Sequence, residues 1–130
     1  MSRRHVKISA PRIMHFNMNS YKTGLLAEWR AVWMLRMHGF RIVRRRYVTG
    51  RQTARAEIDI IARNKNTLVF IEVKARPTVA AAWDAITPAQ IVRLRRAAET
   101  YIAKTQWRGN ARFDVIIVCG WHIHWCRGAI

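Results

Sequence analysis

The sequence predicts a three-layer α/β domain, in which a central mixed sheet is flanked by helices. Three observations carry that expectation. Two apolar runs, EIDIIAR and LVFIEVKAR, face one another across Asn64, Lys65 and Asn66 as a hairpin. An amphipathic helical stretch precedes them and a second one follows. Two more strand-like segments close the chain, so the elements run α-β-β-β-α-β-β and both sheet faces need a covering layer.

Taken in order, GLLAEWRAVWMLRMHG sets Leu25, Val32 and Leu35 at helical spacing, with Gly39 as a stop, and predicts a helix over residues 22–38. Trp29 and Trp33 on that helix are expected in the core. FRIVRRRY, residues 40–47, alternates Phe40 and Ile42 against Arg41 as a strand, and VTGRQTARA reads as a loop. Strands follow over 57–63 and 67–74, joined by a turn in which Asn tolerates positive φ. Arg76-Pro77 ends the second. A small-residue stretch through Ala80 and Ala82 leads to Thr87-Pro88, an N-cap with proline at the first helical position, and the helix runs to about Lys104. RFDVIIVCG and HIHWCRGAI supply the last two strands.

With 130 residues, 51% of them hydrophobic, the chain suits one domain with a single core. Residues 1–20 carry Arg and Lys but no acid and no apolar run of signal-peptide length. They are expected to form a mobile basic arm ahead of a domain over 21–130, and an acid-free, Arg-rich start also resembles an organelle transit peptide. Lys and Arg number 24 against 7 Asp and Glu, giving a formal charge of +17 and a pI near 11.7. Such a field attracts polyanions, and nucleic acid is the expected partner. A membrane ranks below it, because no run approaches the ~20 apolar residues of a spanning helix and the basic residues are spread along the chain. Two cysteines, Cys119 and Cys126, are too few for a disulfide scaffold and point to a reducing cytoplasm.

The two central strands carry the chemistry. Closing the hairpin on its short turn sets Asp59 opposite Glu72 and Glu57 opposite Lys74, with Ile58 against Val73 and Ile60 against Ile71 on the other face. A one-residue slip would bury the charges, so the pattern selects this pairing. Opposed carboxylates repel unless positive charge lies between them. A divalent cation answers that need, and oxygen ligands suit Mg²⁺ or Mn²⁺. Lys74 would then stand beside the attacking water and the phosphate. For a single pair, an ordinary sheet ion pair is the better reading. Four ionisable groups together, in so acid-poor a chain, favour a site.

The spacing of Asp59, Glu72 and Lys74 resembles the PD-(D/E)xK motif of the restriction-endonuclease-like nuclease superfamily, which includes Holliday-junction resolvases. More closely, GLLAEWRAVWMLRMHGF, RRRY, AEIDIIAR, LVFIEVKAR, TPAQIVRLRRAA and RFDVIIV are similar to the bacterial YraN-like family of endonuclease-like proteins. Ala56 departs from the Gly that this family commonly places before E-I-D. The resemblance implies the restriction-endonuclease-like fold and a metal-dependent endonuclease acting on DNA, branched or single-stranded. In that role Asp59 and Glu72 hold the metal, Lys74 assists and Glu57 supports.

The resemblance also implies that Glu28 joins the metal site. On the residues alone, a buried ion pair with an arginine is an equal alternative. Gln90 and Arg93 resemble a helix motif near the substrate phosphate, although Thr87-x-x-Gln90 is also a capping box. Arg45, Arg46 and Arg76 are grouped with them as nucleic-acid contacts, and Arg95, Arg96 and Lys104 as a solvated or phosphate-facing side. Asp114 starts a strand and is expected to pair with an arginine. The Cys and His residues of CGWHIHWC lack zinc-finger spacing, and strand alternation would turn them to different faces. Trp83 and Trp107, placed in loops, are the expected base-stacking residues. The alternative to an endonuclease is a non-catalytic nucleic-acid-binding module of the same fold. The choice of DNA over RNA and homodimerisation stay open.

Overall fold

β-branched and aromatic residues concentrated in five short runs build one five-stranded sheet, in spatial order β1-β2-β3-β4-β5. The structure, a computed structural model, describes the backbone of residues 18–50 and 55–130 and the side chains from residue 23 on. The strands are β1 (Arg41–Thr49), β2 (Ala56–Asn64), β3 (Thr67–Ala75), β4 (Asn110–Cys119) and β5 (His122–Cys126). Pairing is antiparallel except between β3 and β4, so the sheet is mixed. A parallel pair needs a crossover, and the helical segment between β3 and β4 supplies it.

Strand alternation sends β4 side chains to two cores. Ile116 and Val118 join Ile60, Ala62, Val69 and Ile71 beneath α1 (Met18–Met37), which contributes Ala27, Ala31, Val32 and Leu35. On the opposite face α3 (Pro88–Thr105) packs Leu94, Ala97, Ala98 and Tyr101 on Ile58, Ile61, Leu68 and Phe70. α2 (Val79–Asp84) places Ala82 over Val115 and Ile117. The expected layers and element order are present, with α2 added where only a small-residue lead-in was expected. Thr78 caps it by accepting the Ala81 N–H. Thr87 does the same for α3 through the Gln90 N–H, with Pro88 at the first turn.

Several expectations need correction. α1 begins at Met18, so residues 18–20 are helical, and the rest of the expected arm lies outside the described residues. Trp29 and Trp33 are not core residues: they are 45% and 59% exposed, in line with exposed Leu26 and Met37. Small Ala27 and Ala31 let the helix backbone approach the sheet, which turns the bulky residues outward. Trp83 lies within α2 and Trp107 just after α3, and both pack partly buried against the cores. Lys65, and neither asparagine of the turn, has positive φ. Among the described residues, no helix is long and apolar enough to cross a membrane.

Asp114 lies inside β4 and is fully buried. It accepts bonds from Arg112 Nε and Nη2 at 2.8 and 2.9 Å, Trp125 Nε1 at 2.8 Å and the Gly128 N–H at 2.9 Å. This carboxylate ties β4 to β5 and to the turn after it. Replacing it by Ala strands those donors, each unsatisfied buried group costing about 1–3 kcal/mol. Asp114→Ala should therefore lose about 3 kcal/mol or more in urea unfolding, and a loss under about 1 kcal/mol would contradict this structural role.

Candidate active site

The β2–β3 ladder runs from Asn64↔Thr67 to Ile60↔Ile71, as the hydrophobic pattern predicts, and there its regularity stops. Ile58 packs under α3 with Ile61, whereas Ile60 and Ala62 pack under α1. Residues two apart in a regular strand share a face, so alternation breaks at Asp59. On β1, between the Arg45↔Ile60 and Tyr47↔Ile58 pairs, Arg46 takes a φ of 51°. The expected pairing of Ile58 with Val73 on one face is therefore not formed. Val73 packs at the α1 side and Ile58 at the α3 side.

Asp59 uses this irregularity. Its Oδ2 accepts the Val73 N–H at 2.8 Å, so a carboxylate takes the place of a ladder partner on β3. Glu72, the next residue back along β3, is 5% exposed, and its Oε1 accepts from Gln90 Nε2 at 3.0 Å and pairs with Lys74 Nζ at 3.1 Å. Burial first, and then the charge of Glu72, push the Asp59 carboxyl up from its ordinary value of 3.8 to about 8. The Val73 N–H opposes the shift, while Glu28 and a hydrogen bond with Glu72 add to it. Asp59 thus keeps its proton near neutral pH, beside the Glu72 carboxylate. The two expected metal ligands are brought together from opposite sides of the strand irregularity, not as regular cross-strand neighbours on one face.

Lys74 pairs with Glu72 and not with Glu57, because side chains two apart on one strand share a face. Glu57 is exposed and lines two adjoining cavities. The first, of about 410 Å³, is bounded also by Gly24, Glu28, Arg46, Asp59 and Val73. The second, of about 270 Å³, is bounded by Arg55, Gln90 and Arg93. Gln90 has a double role: its backbone N–H completes the α3 cap, while its side chain reaches Glu72 and makes no reciprocal capping-box bond.

Glu28 takes the ion-pair alternative. Arg45 donates to its Oε1 from Nε at 3.1 Å and Nη2 at 2.9 Å, and Arg46 Nε approaches Oε2 at 3.4 Å. The Arg45 guanidinium also lies 4.4 Å from the Trp29 ring centroid. These contacts engage Glu28, Arg45 and Arg46 with one another at the wall of the cavity that Asp59 also lines. Arg76 Nη1 donates to the Ala75 carbonyl at 2.8 Å, and Arg76 lines a groove that shares Ala75 with the carboxylate cavity. Among the described residues, no group of three or more His, Cys, Asp or Glu is placed to hold a metal ion, and this includes CGWHIHWC. Arg55 was missed by the sequence reading. Its position directly before A-E-I-D was the available signal.

The model of the uncharacterised protein family UPF0102 matches residues 27–118, a span that contains the carboxylates, Lys74 and α3. Curated relatives share that label. The chain is 33% identical to a UPF0102 protein of Paramagnetospirillum magneticum, over 78% of this chain and 81% of the relative. It is 38% identical to one of Bartonella bacilliformis, over 80% and 84%. It is also 38% identical to one of Bradyrhizobium diazoefficiens, over 76% and 73%. These matches agree with the YraN-like resemblance of the motifs, and none of the names states an activity.

The raised Asp59 carboxyl has a signed consequence for stability. In the folded protein it holds its proton up to about pH 8, while the unfolded group releases it near the ordinary 3.8. Between those values the folded state binds more protons, so Asp59 subtracts stability progressively as pH rises, with the loss complete near pH 8. Asp59→Asn does not titrate there and can still accept the Val73 N–H. In chelator, its melting temperature should match the parent near pH 4 and exceed it increasingly toward pH 8, by about 1 kcal/mol of stability or more. A variant that melts below the parent at pH 8 would contradict the raised Asp59 carboxyl.

Proposed function

The chain belongs to the uncharacterised protein family UPF0102, and from the geometry of its carboxylate site we propose that it is a metal-dependent endonuclease hydrolysing phosphodiester bonds in DNA. The observation that carries this reading is the pair Asp59 and Glu72, brought side by side with Lys74 and Gln90 on Glu72 and the Val73 N–H on Asp59, in a chain of charge +17. Protonation is one way to relieve two adjacent carboxylates, and a dication of hard-oxygen preference is the other. The donor set therefore fits Mg²⁺ or Mn²⁺, which takes one or two protein carboxylates and fills its remaining positions with water and phosphate oxygens. When bound there, such an ion acidifies water and offsets charge at the phosphate.

The chain's own groups do the positioning. Val73 N–H fixes Asp59, and Gln90 and Lys74 fix Glu72 through Oε1. Lys74 brings an ammonium to the carboxylates, where it can orient a water and stabilise charge on the phosphoryl oxygens. Arg55, Arg93 and Arg46 line the adjoining cavities and offer cations to the flanking phosphates. This arrangement also supports placing the chain in the restriction-endonuclease-like superfamily. A second reading, a nucleic-acid-binding module without catalysis, is favoured by the engagement of Glu28 with Arg45 and Arg46, which leaves two carboxylates for a metal.

A panel of duplex, flap, junction and single-stranded DNA with Mg²⁺ or Mn²⁺ tests the proposal. Cleavage should appear with metal and fall about 100-fold or more in Asp59→Asn and in Glu72→Gln, while DNA binding in chelator persists. Calorimetry showing no Mn²⁺ uptake by the parent, with DNA binding intact, would leave the binding-module reading standing. Binding itself should weaken with salt, log K falling against log salt with a slope of about −0.9 per contacted phosphate on duplex. A flat salt response would remove nucleic acid as the partner in both readings.

A further inference from the structure

Beside the carboxylate cavity lies a second and larger groove of about 720 Å³, and the two share Ala27 and Ala75 in their walls. Its lining is mostly apolar, with Leu26 from α1, Pro77 after β3, Val118 from β4 and Trp121 at the β4–β5 turn. Among the described residues, Arg30 and Arg76 are its charged members and no acidic residue lines it. Trp121 is 94% exposed, yet its backbone is held in place. Arg30 Nη2 donates to the Trp121 carbonyl at 2.9 Å, and Arg30 Nη1 donates to the carbonyl of Gly120, whose φ of 55° forms the turn.

We propose that this groove receives an unpaired nucleobase next to the scissile phosphate, with Trp121 as its stacking platform. The inference rests on the reading of Asp59 and Glu72 as the phosphate-cleaving site and adds the substrate class: DNA with single-stranded or extrahelical nucleotides. Three features select this occupant. A mostly apolar lining with an exposed indole suits the π-face of any base. Cations without acids at the rim suit the phosphates on either side of that base. The shared wall at Ala27 and Ala75 puts the groove directly beside the carboxylates. A second copy of this chain would bring another +17 to a basic rim, which disfavours it as the occupant. A regular duplex keeps its bases stacked inward and has none to offer the groove.

The test compares the full chain with Trp121→Ala and Trp121→Phe in chelator, so that neither metal nor cleavage enters. The high exposure of Trp121 makes both variants safe for folding, and a melting curve confirms it. Fluorescence anisotropy is read with labelled oligo-dT and with a blunt hairpin duplex, and sedimentation velocity is run on the same samples. Trp121→Ala should weaken oligo-dT binding about fivefold or more, the low end for one base stacked on an aromatic ring, and leave the duplex within about twofold. Trp121→Phe should recover most of the loss. Equal losses on both probes, or no loss, would overturn the inference. A dimer in the parent that dissociates in Trp121→Ala would overturn it too, and assign the groove to a second copy. Failure of the nuclease reading looks different: the oligo-dT selectivity of Trp121 would remain, while the parent cut no DNA with Mn²⁺.

Discussion

Two carboxylates held side by side, with burial and the charge of Glu72 disfavouring the ionised form of Asp59, set the terms for the rest of this structure. Asp59 and Glu72 meet where the β2–β3 ladder gives out, and each is restrained by a different element. β3 offers Asp59 a backbone N–H, α3 sends Gln90 to Glu72, and Lys74 reaches Glu72 along its own strand. α1 contributes Glu28, pinned by Arg45 and Arg46 from β1. Both helical layers and three strands thus have a side chain committed within one small region. The inward face of α1 tolerates a glutamate because two guanidiniums meet it, and α3 starts where it does because Gln90 serves the cap and the site together.

Asp114 shows what a buried acid looks like when its surroundings satisfy it. Arginine, indole and backbone N–H together direct four hydrogen bonds at its two oxygens, and β4, β5 and the following turn are joined through them. Asp59 has one backbone donor and the Glu72 carboxylate beside it instead. The contrast marks Asp114 as a carboxylate that folding uses, whereas folding alone gives no reason to keep Asp59 beside Glu72. It also accounts for where the scarce acids go: of the seven in the chain, Glu28, Glu57 and Asp59 line one cavity, and Glu72 bonds Gln90 at the wall of the next.

Much of this was legible beforehand. Period-2 patterning located the central strands and their register through Ile60 and Ile71, and Thr87-Pro88 marked the start of α3 to the residue. The pairing of Asp59 with Glu72 followed from that register, although the route by which they meet did not. A break in alternation depends on φ/ψ at Asp59 and Arg46, which side-chain polarity does not encode, so Ile58 was placed on the wrong side. Trp29 and Trp33 misled because bulk was read as burial, whereas the small residues Ala27 and Ala31 decide how a helix seats. α2 was invisible because VAAAWD is too short to show a period, and its Thr78 cap was overlooked. Gln90 illustrates a general limit: one residue can satisfy a local motif with its backbone and a distant group with its side chain.

The parallel pairing of β3 with β4 also orders events along the growing chain. β2 and β3 are joined by a tight turn and can pair as soon as both have emerged, because closing so short a loop costs little entropy. β4 reaches β3 only after α2 and α3 have been made, since Thr67 aligns with Asn110. Until then β3 is an open edge, with Val69 and Ile71 on one side and Phe70 on the other bare to solvent. Glu72 and Lys74 sit on that same edge and place charge on the stretch most exposed to pairing with another chain. Residues that serve the finished site therefore act as gatekeepers against aggregation while the sheet is still incomplete.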